Sequence, residues 1–253
     1  LTVGYMANYS TVTVRLQELL TIFHNSILYS LGIASVEKGA EEKYQLFRKV
    51  VLIDQYVVGV ICVCTGVLWH DFISVWLGKE YLISDALMYS VLLNFMWRVQ
   101  VTPLAMFRDT NGLFVYVRRM VLINAGLNIV LSLAFGRVIG VPGVYIATVI
   151  ADILTDFWFD ARLLYEKLFR RKGFWKYDLV AFGTCCANLV VVYLLRRALD
   201  GLGASLPMWV VKGAVAALAY TLVYVLVCGR TQVFRDVLNQ IVLPRLRRKK
   251  AAQ

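Results

Sequence analysis

Seven long apolar stretches fill this chain, near residues 4–34, 50–70, 84–106, 119–138, 141–163, 178–196 and 208–228. Each is long enough to cross a bilayer core that needs about 20 residues of helix, and the first can tilt or run past it. The runs are much longer than barrel strands of about 10 residues and do not alternate, which argues against strands. The expected fold class is therefore all-α, a polytopic transmembrane helical bundle of about seven spans. Composition agrees: 60% of residues are hydrophobic and the mean hydropathy is +0.67, against about 45–50% apolar for soluble domains.

The net charge of +11 is placed by topology. If every stretch crosses, one set of loops (35–49, 107–119, 162–177 and 229–253) holds 20 Lys and Arg, and the opposite set holds only Lys79, Arg137, Arg196 and Arg197. By the positive-inside rule this puts the C-terminus in the cytoplasm and Leu1 outside. A nucleic-acid partner is not needed to explain the charge. Cys62, Cys64, Cys185, Cys186 and Cys228 lie in or at the ends of spans without metal-ligand spacing, as small packing residues do. No cleavable signal is visible, and a chain starting at Leu1 directly before a span suggests a piece of a longer protein.

The loops are short. Gly140–Gly143 makes a tight hairpin turn between spans four and five. A short cytoplasmic helix is expected over 37–49. The organisation reads as a five-span part (1–163), a basic-aromatic connector (164–177), a final helix pair (178–228) and an amphipathic helix with a basic tail (229–253). Thr231 is placed to cap that last helix and Pro244 to end it, with Arg245–Lys250 anchoring it to the inner surface.

Charges at membrane depth cost roughly 2.5–3.5 kcal/mol each on insertion scales, so they mark protein interiors or water-filled paths. Span one puts Tyr9, Val12, Leu16, Leu19, Leu20, Phe23 and Ile27 in one sector, which reads as a lipid face. The rest carries Asn8, Thr11, Arg15, Gln17, Glu18, His24 and Asn25, a candidate cavity lining, although Arg15 and Glu18 at i,i+3 can simply neutralise each other. Span three aligns Ser90, Asn94 and Arg98. A guanidinium suits a phosphate or diphosphate, or else an ion pair with an acid such as Asp152. In span four, Asn124, Asn128 and Ser132 suit hydrogen bonds between helices. Span five carries Asp152 and Asp156, candidates for coupling to H⁺ or Na⁺, or for structural pairing with Arg15 or Arg98. Asp160 reads as an interface residue beside Arg162, and His70-Asp71 as a pair at the outer interface. No cofactor, metal cluster or catalytic motif is expected; only His24 and His70 are present.

Several segments together look familiar: Val3-Gly4-Tyr5 through Asn8-Tyr9, Phe72–Gly78, Phe107-Arg108-Asp109 with Gly112-Leu113-Phe114, and Gly140–Val144 followed by Phe157-Trp158. In order and spacing they resemble the C-terminal half of bacterial polysaccharide flippases, the Wzx-like, O-antigen and teichoic-acid export proteins of the multidrug/oligosaccharidyl-lipid/polysaccharide exporter superfamily. The resemblance covers roughly residues 3–175. It implies helices eight to fourteen of a fourteen-helix, two-lobe transporter in the cytoplasmic membrane. The expected substrate is an undecaprenyl-diphosphate-linked oligosaccharide moved by alternating access, and the expected partner an N-terminal lobe. It also implies cationic cavity residues on the diphosphate, for which Arg15 and Arg98 are candidates, and a lipid-tail groove at the final helix pair. An ion-coupled multidrug exporter of the same superfamily is the first alternative. A membrane-embedded polymerase or glycosyltransferase is disfavoured by the short outer loops, and a non-transporting scaffold by the intramembrane charges.

Overall fold

The computed structural model describes residues 2–35, 38–203 and 205–239. It is 88% helical, with no strand among the described residues. The helices are α1 (Thr2–Ser35), α2 (Ala40–Trp76), α3 (Asp85–Gln100), α4 (Thr102–Thr110), α5 (Phe114–Ile139), α6 (Val141–Asp152), α7 (Trp158–Leu163), α8 (Trp175–Leu199), α9 (Leu206–Cys228) and α10 (Gln232–Val237). Widened π turns at Ile153–Phe157 and Leu164–Leu168 join α6 to α7 and extend α7, so 141–168 is one rod.

Five of these elements are long and apolar enough to cross a membrane: α2, α5, the 141–168 rod, α8 and α9. The expected span at 84–106 is broken in two. Pro103 stands in the first turn of α4, where its missing N–H and ring obstruct a continuous helix through Val99. The resulting pieces have 16 and 9 residues, each short of the roughly 20 a crossing needs. α1 has the length, with 34 residues, but it carries too many polar side chains to pass as an apolar span. The helix expected over 37–49 is not separate. Nothing between Ala40 and Trp76 stops helix propagation, so it fuses with span two into a rod of 37 residues, about 55 Å long. Glu41 and Glu42 sit favourably in its positive first turn.

α2 is the centre of the bundle, packed by α1, α3, α4, α8, α9 and α10. Its buried residues Phe47, Val50, Asp54, Val58, Cys62, Trp69 and Ile73 recur at helical spacing. Against α9 the approach is close because Gly59 has no Cβ; an added methyl would overlap the Tyr220 ring. Tyr220 and Tyr224 donate their hydroxyls to the α2 carbonyls of Gln55 (3.1 Å) and Leu52 (2.6 Å), which satisfies the phenols inside the bundle. The expected hairpin is a one-residue turn. Gly140, at φ +77°, ends α5 and α6 begins at Val141, while Gly143 lets α6 lie against the Phe135 backbone.

The two ends of the bundle differ. At the basic end Phe47, Phe107, Phe169 and Tyr177 form one aromatic cluster, with centroids 5.0–5.4 Å from Phe47. Such pairs add about 0.5–1.5 kcal/mol each beyond burial. The connector there is shorter than expected, since the rod continues to Leu168 and α8 starts at Trp175. At the other end His70 and Asp71 do not pair with each other. Arg196 bridges Asp85 (2.8 Å) and the His70 ring, and Lys212 is buried on Asp71 at 2.6 Å. Thr231 caps α10 by accepting from the Phe234 N–H. Pro244 and the Arg245–Lys250 tail lie outside the described residues.

Candidate functional site

Three acids and two arginines line a cleft of about 440 Å³ between α3, α4, α5 and the 141–168 rod. Arg98 reaches it from the last turn of α3, about 20 Å along the axis from Asp85 and so far from that end. Arg108 comes from α4, Asn124 and Asn128 from α5, and Asp152, Asp156 and Asp160 from the rod. Eight residues of straight α-helix accumulate about 80° beyond two full turns, which would swing Asp160 away from Asp152. The π turn at Ile153–Phe157 falls between them, and by holding more residues per turn it takes back part of that rotation. The three acids therefore share one wall.

Each acid has a different environment. Asn124 Nδ2 donates to Asp152 Oδ1 at 2.9 Å and to Thr155 Oγ1 at 2.8 Å, tying α5 to the rod. Asn124 thus takes the interhelical role expected in span four, whereas Ser132 donates to Asn128 Oδ1 at 3.1 Å within α5 itself. Asp160 is buried and accepts from Arg108 at 2.6 Å; Arg162 instead pairs with Glu166 at 2.8 Å. Asp156 lies between them with Oδ1 buried and unpartnered. Arg98 is exposed to the cleft and forms no ion pair with a described residue, so it faces Asp152 without closing on it. With every group ionised, the lining holds three carboxylates and two guanidiniums, one net negative charge.

The structure thus brings Arg98, Asp152 and Asp156 together. It leaves the α1 candidates elsewhere. Arg15 and Glu18 are exposed and pair with each other at 2.9 Å. Thr11 and Asn25 are exposed, Asn8 and Gln17 half-buried. Asn94, half-buried, donates to the Tyr145 carbonyl at 3.5 Å and packs α3 on α6. The apolar sector of α1 is not a lipid face. Tyr9 and Leu20 are buried and Val12, Leu16 and Ile27 pack on the core, with Leu19 exposed, so the polar side apart from His24 turns outward, away from this bundle. Beside Arg15, α1, α2 and α9 enclose an apolar groove of about 530 Å³ walled by Val12, Leu16, Val60, Ile61, Trp69 and Trp209.

His24 does not line a cavity. It is buried, with Nε2 2.6 Å from Asp54 Oδ1 on α2, while Asp54 Oδ2 has no partner. Sequence reasoning missed this pair, and it missed Arg108 as a cleft residue. The signal for Arg108 was Pro103, which starts a new helix and carries Arg108 inward instead of into a loop. Compared with known proteins, the chain matches no family model, no curated protein and no solved structure.

Proposed function

We propose that this chain is one lobe of a transporter that moves a polyprenyl-diphosphate-linked glycan across the bacterial cytoplasmic membrane by alternating access. The observation that carries the reading is Arg98: a guanidinium about 20 Å along α3 from Asp85, exposed in an open cleft between helices and without an ion-pair partner among the described residues. Such a group is costly in a bilayer unless it serves a ligand or a path, and its fork fits a diphosphate. The apolar groove beside α9 suits the polyprenyl tail. The outward polar side of α1 suits a second lobe closing a hydrated cavity against it, with the basic end in the cytoplasm.

The charge balance adds a coupling step. A cleft with a net negative charge repels a diphosphate. Loading H⁺ or Na⁺ onto Asp152 and Asp156 reverses that sign and leaves Arg98 free for the anion. The same two acids also support the second reading, an ion-coupled drug exporter, which the unpartnered Oδ1 of Asp156 favours. Proteoliposomes with the full-length protein separate the two. Arg98→Ala should abolish flipping of a fluorescent polyprenyl-diphosphate glycan, and Asp156→Asn should remove its ion dependence. Normal flipping by Arg98→Ala, with drug efflux lost in Asp156→Asn, would leave the exporter standing instead.

A further inference from the structure

A second cavity, of about 620 Å³, lies at the basic end, outside the charged cleft. Its walls come from the start of α2, the connector, the first turns of α8 and the α9–α10 junction. Three cations line it: Arg48, Arg171 and Lys176. No carboxylate does. The floor is apolar, formed by Phe47, Val51, Leu52 and Val233.

Arg171 is held in place. Arg170 takes a left-handed backbone conformation, φ +52°, and Gly173 another, φ +94°, so the connector doubles back on itself. The Arg171 N–H donates to the Tyr165 carbonyl at 2.8 Å. Its guanidinium then lies over the Tyr44 ring, 4.4 Å from the centroid, and donates twice to Glu41 Oε2. Arg48 approaches the same ring at 5.8 Å. Two guanidiniums on one ring repel each other, and Glu41 supplies a single compensating charge from outside the lining. Asp178, the nearest acid along α8, does not line the cavity. Two positive charges are left over at the mouth of an apolar pocket.

We infer that this cavity is a binding site for the phosphate headgroup of an anionic membrane lipid, with the start of its acyl chains on the Phe47–Val233 floor. A soluble phosphate would use the cations but leave the floor bare. A zwitterionic lipid would bring its own cation to a mouth that already has a surplus. The inference needs only that the chain sits in a membrane and is independent of what it transports.

The test is native mass spectrometry of the full-length protein in detergent, titrated with phosphatidylglycerol, phosphatidylcholine or inorganic phosphate. One phosphatidylglycerol per chain should bind saturably, and phosphatidylcholine should not compete. Removing two of the three lining cations with Arg48→Gln/Lys176→Gln should weaken it about 30-fold. Circular dichroism reports whether that variant stays folded. Should it misfold, salt titration of the unaltered protein gives the same answer, since charge-driven headgroup binding must weaken as salt screens it. Arg118→Gln/Arg119→Gln removes two exposed cations elsewhere and should change nothing. Equal weakening by that control would mean diffuse charge attraction and no site. Competition by inorganic phosphate at the lipid's own affinity, or equal binding of phosphatidylcholine, would likewise overturn the proposal.

Discussion

Replacing His24 with Ala removes the one hydrogen-bond partner that Asp54 has among the described residues. The two side chains are 8% and 1% exposed and their contact is 2.6 Å, so water cannot take over the role of the imidazole. Asp54 Oδ2 already lacks a partner, and the substitution would strip Oδ1 as well. The magnitude distinguishes two accounts. A neutral hydrogen bond between membrane helices contributes about 0.6 kcal/mol on average, up to about 1.7. A buried ion pair broken on one side costs about 3–5 kcal/mol, because the remaining charge stays buried and alone. The ionic account predicts a loss in the upper range for His24→Ala. It also predicts that His24→Gln/Asp54→Asn, which removes both charges and keeps a donor and an acceptor, recovers most of it. Reversible unfolding of the full-length protein in mixed micelles measures both. A loss below about 1 kcal/mol for His24→Ala would refute the ionic account, and failure of the double variant to recover would refute charge as the cause.

Gly59→Val should destabilise by about 1–3 kcal/mol through overlap with Tyr220, while Gly126→Ala, in open space on α5, should be neutral or slightly stabilising in the same assay. Arg108→Ala should cost about 3–5 kcal/mol, because Asp160 is buried beneath it, and Arg162→Ala less than about 1, because that pair is half exposed. In a cysteine-free background, Thr21→Cys and Asn25→Cys should react with a membrane-impermeant thiol reagent if the outward side of α1 meets water. Leu122→Cys, on the lipid-like side of α5, should not react, and equal labelling of all three would remove the cavity reading of α1.

What the sequence could reveal follows from what each residue's choice of face depends on. Apolar length is a local property, so α5, α8 and α9 were readable to within a few residues. The hairpin was too, because Gly140 and Pro142 act locally. The 84–106 stretch read as one continuous helix because hydropathy averages over Pro103 and does not register the break it causes. The direction of α1 was not legible for a different reason. In water, an apolar stripe must face the core. In lipid, tails and packed side chains are about equally apolar, so a stripe fits either way and packing decides. Tyr9 against Trp69, at 5.2 Å, and His24 against Asp54 turn the α1 stripe inward, and neither contact can be inferred from spacing along one helix.

That inward turn changes the meaning of the polar residues on which the transporter reading first rested. A polar side on α1 that faced its own bundle would need only internal hydrogen bonds. Facing outward, Thr11, Arg15, Glu18, Thr21 and Asn25 have little but their own helix for partners: Thr11 and Thr21 donate to carbonyls one turn back, and Arg15 takes Glu18. Against lipid such a surface would be costly, and against water or a polar protein surface it is not. Arg98 can be weighed in the same way, since it forms no ion pair with a described residue and only faces Asp152 across the cleft. The outward polar groups of α1 and Arg98 are therefore the ones that argue for something beyond this bundle, whereas the paired cations Arg196, Lys212 and Arg108 need nothing further.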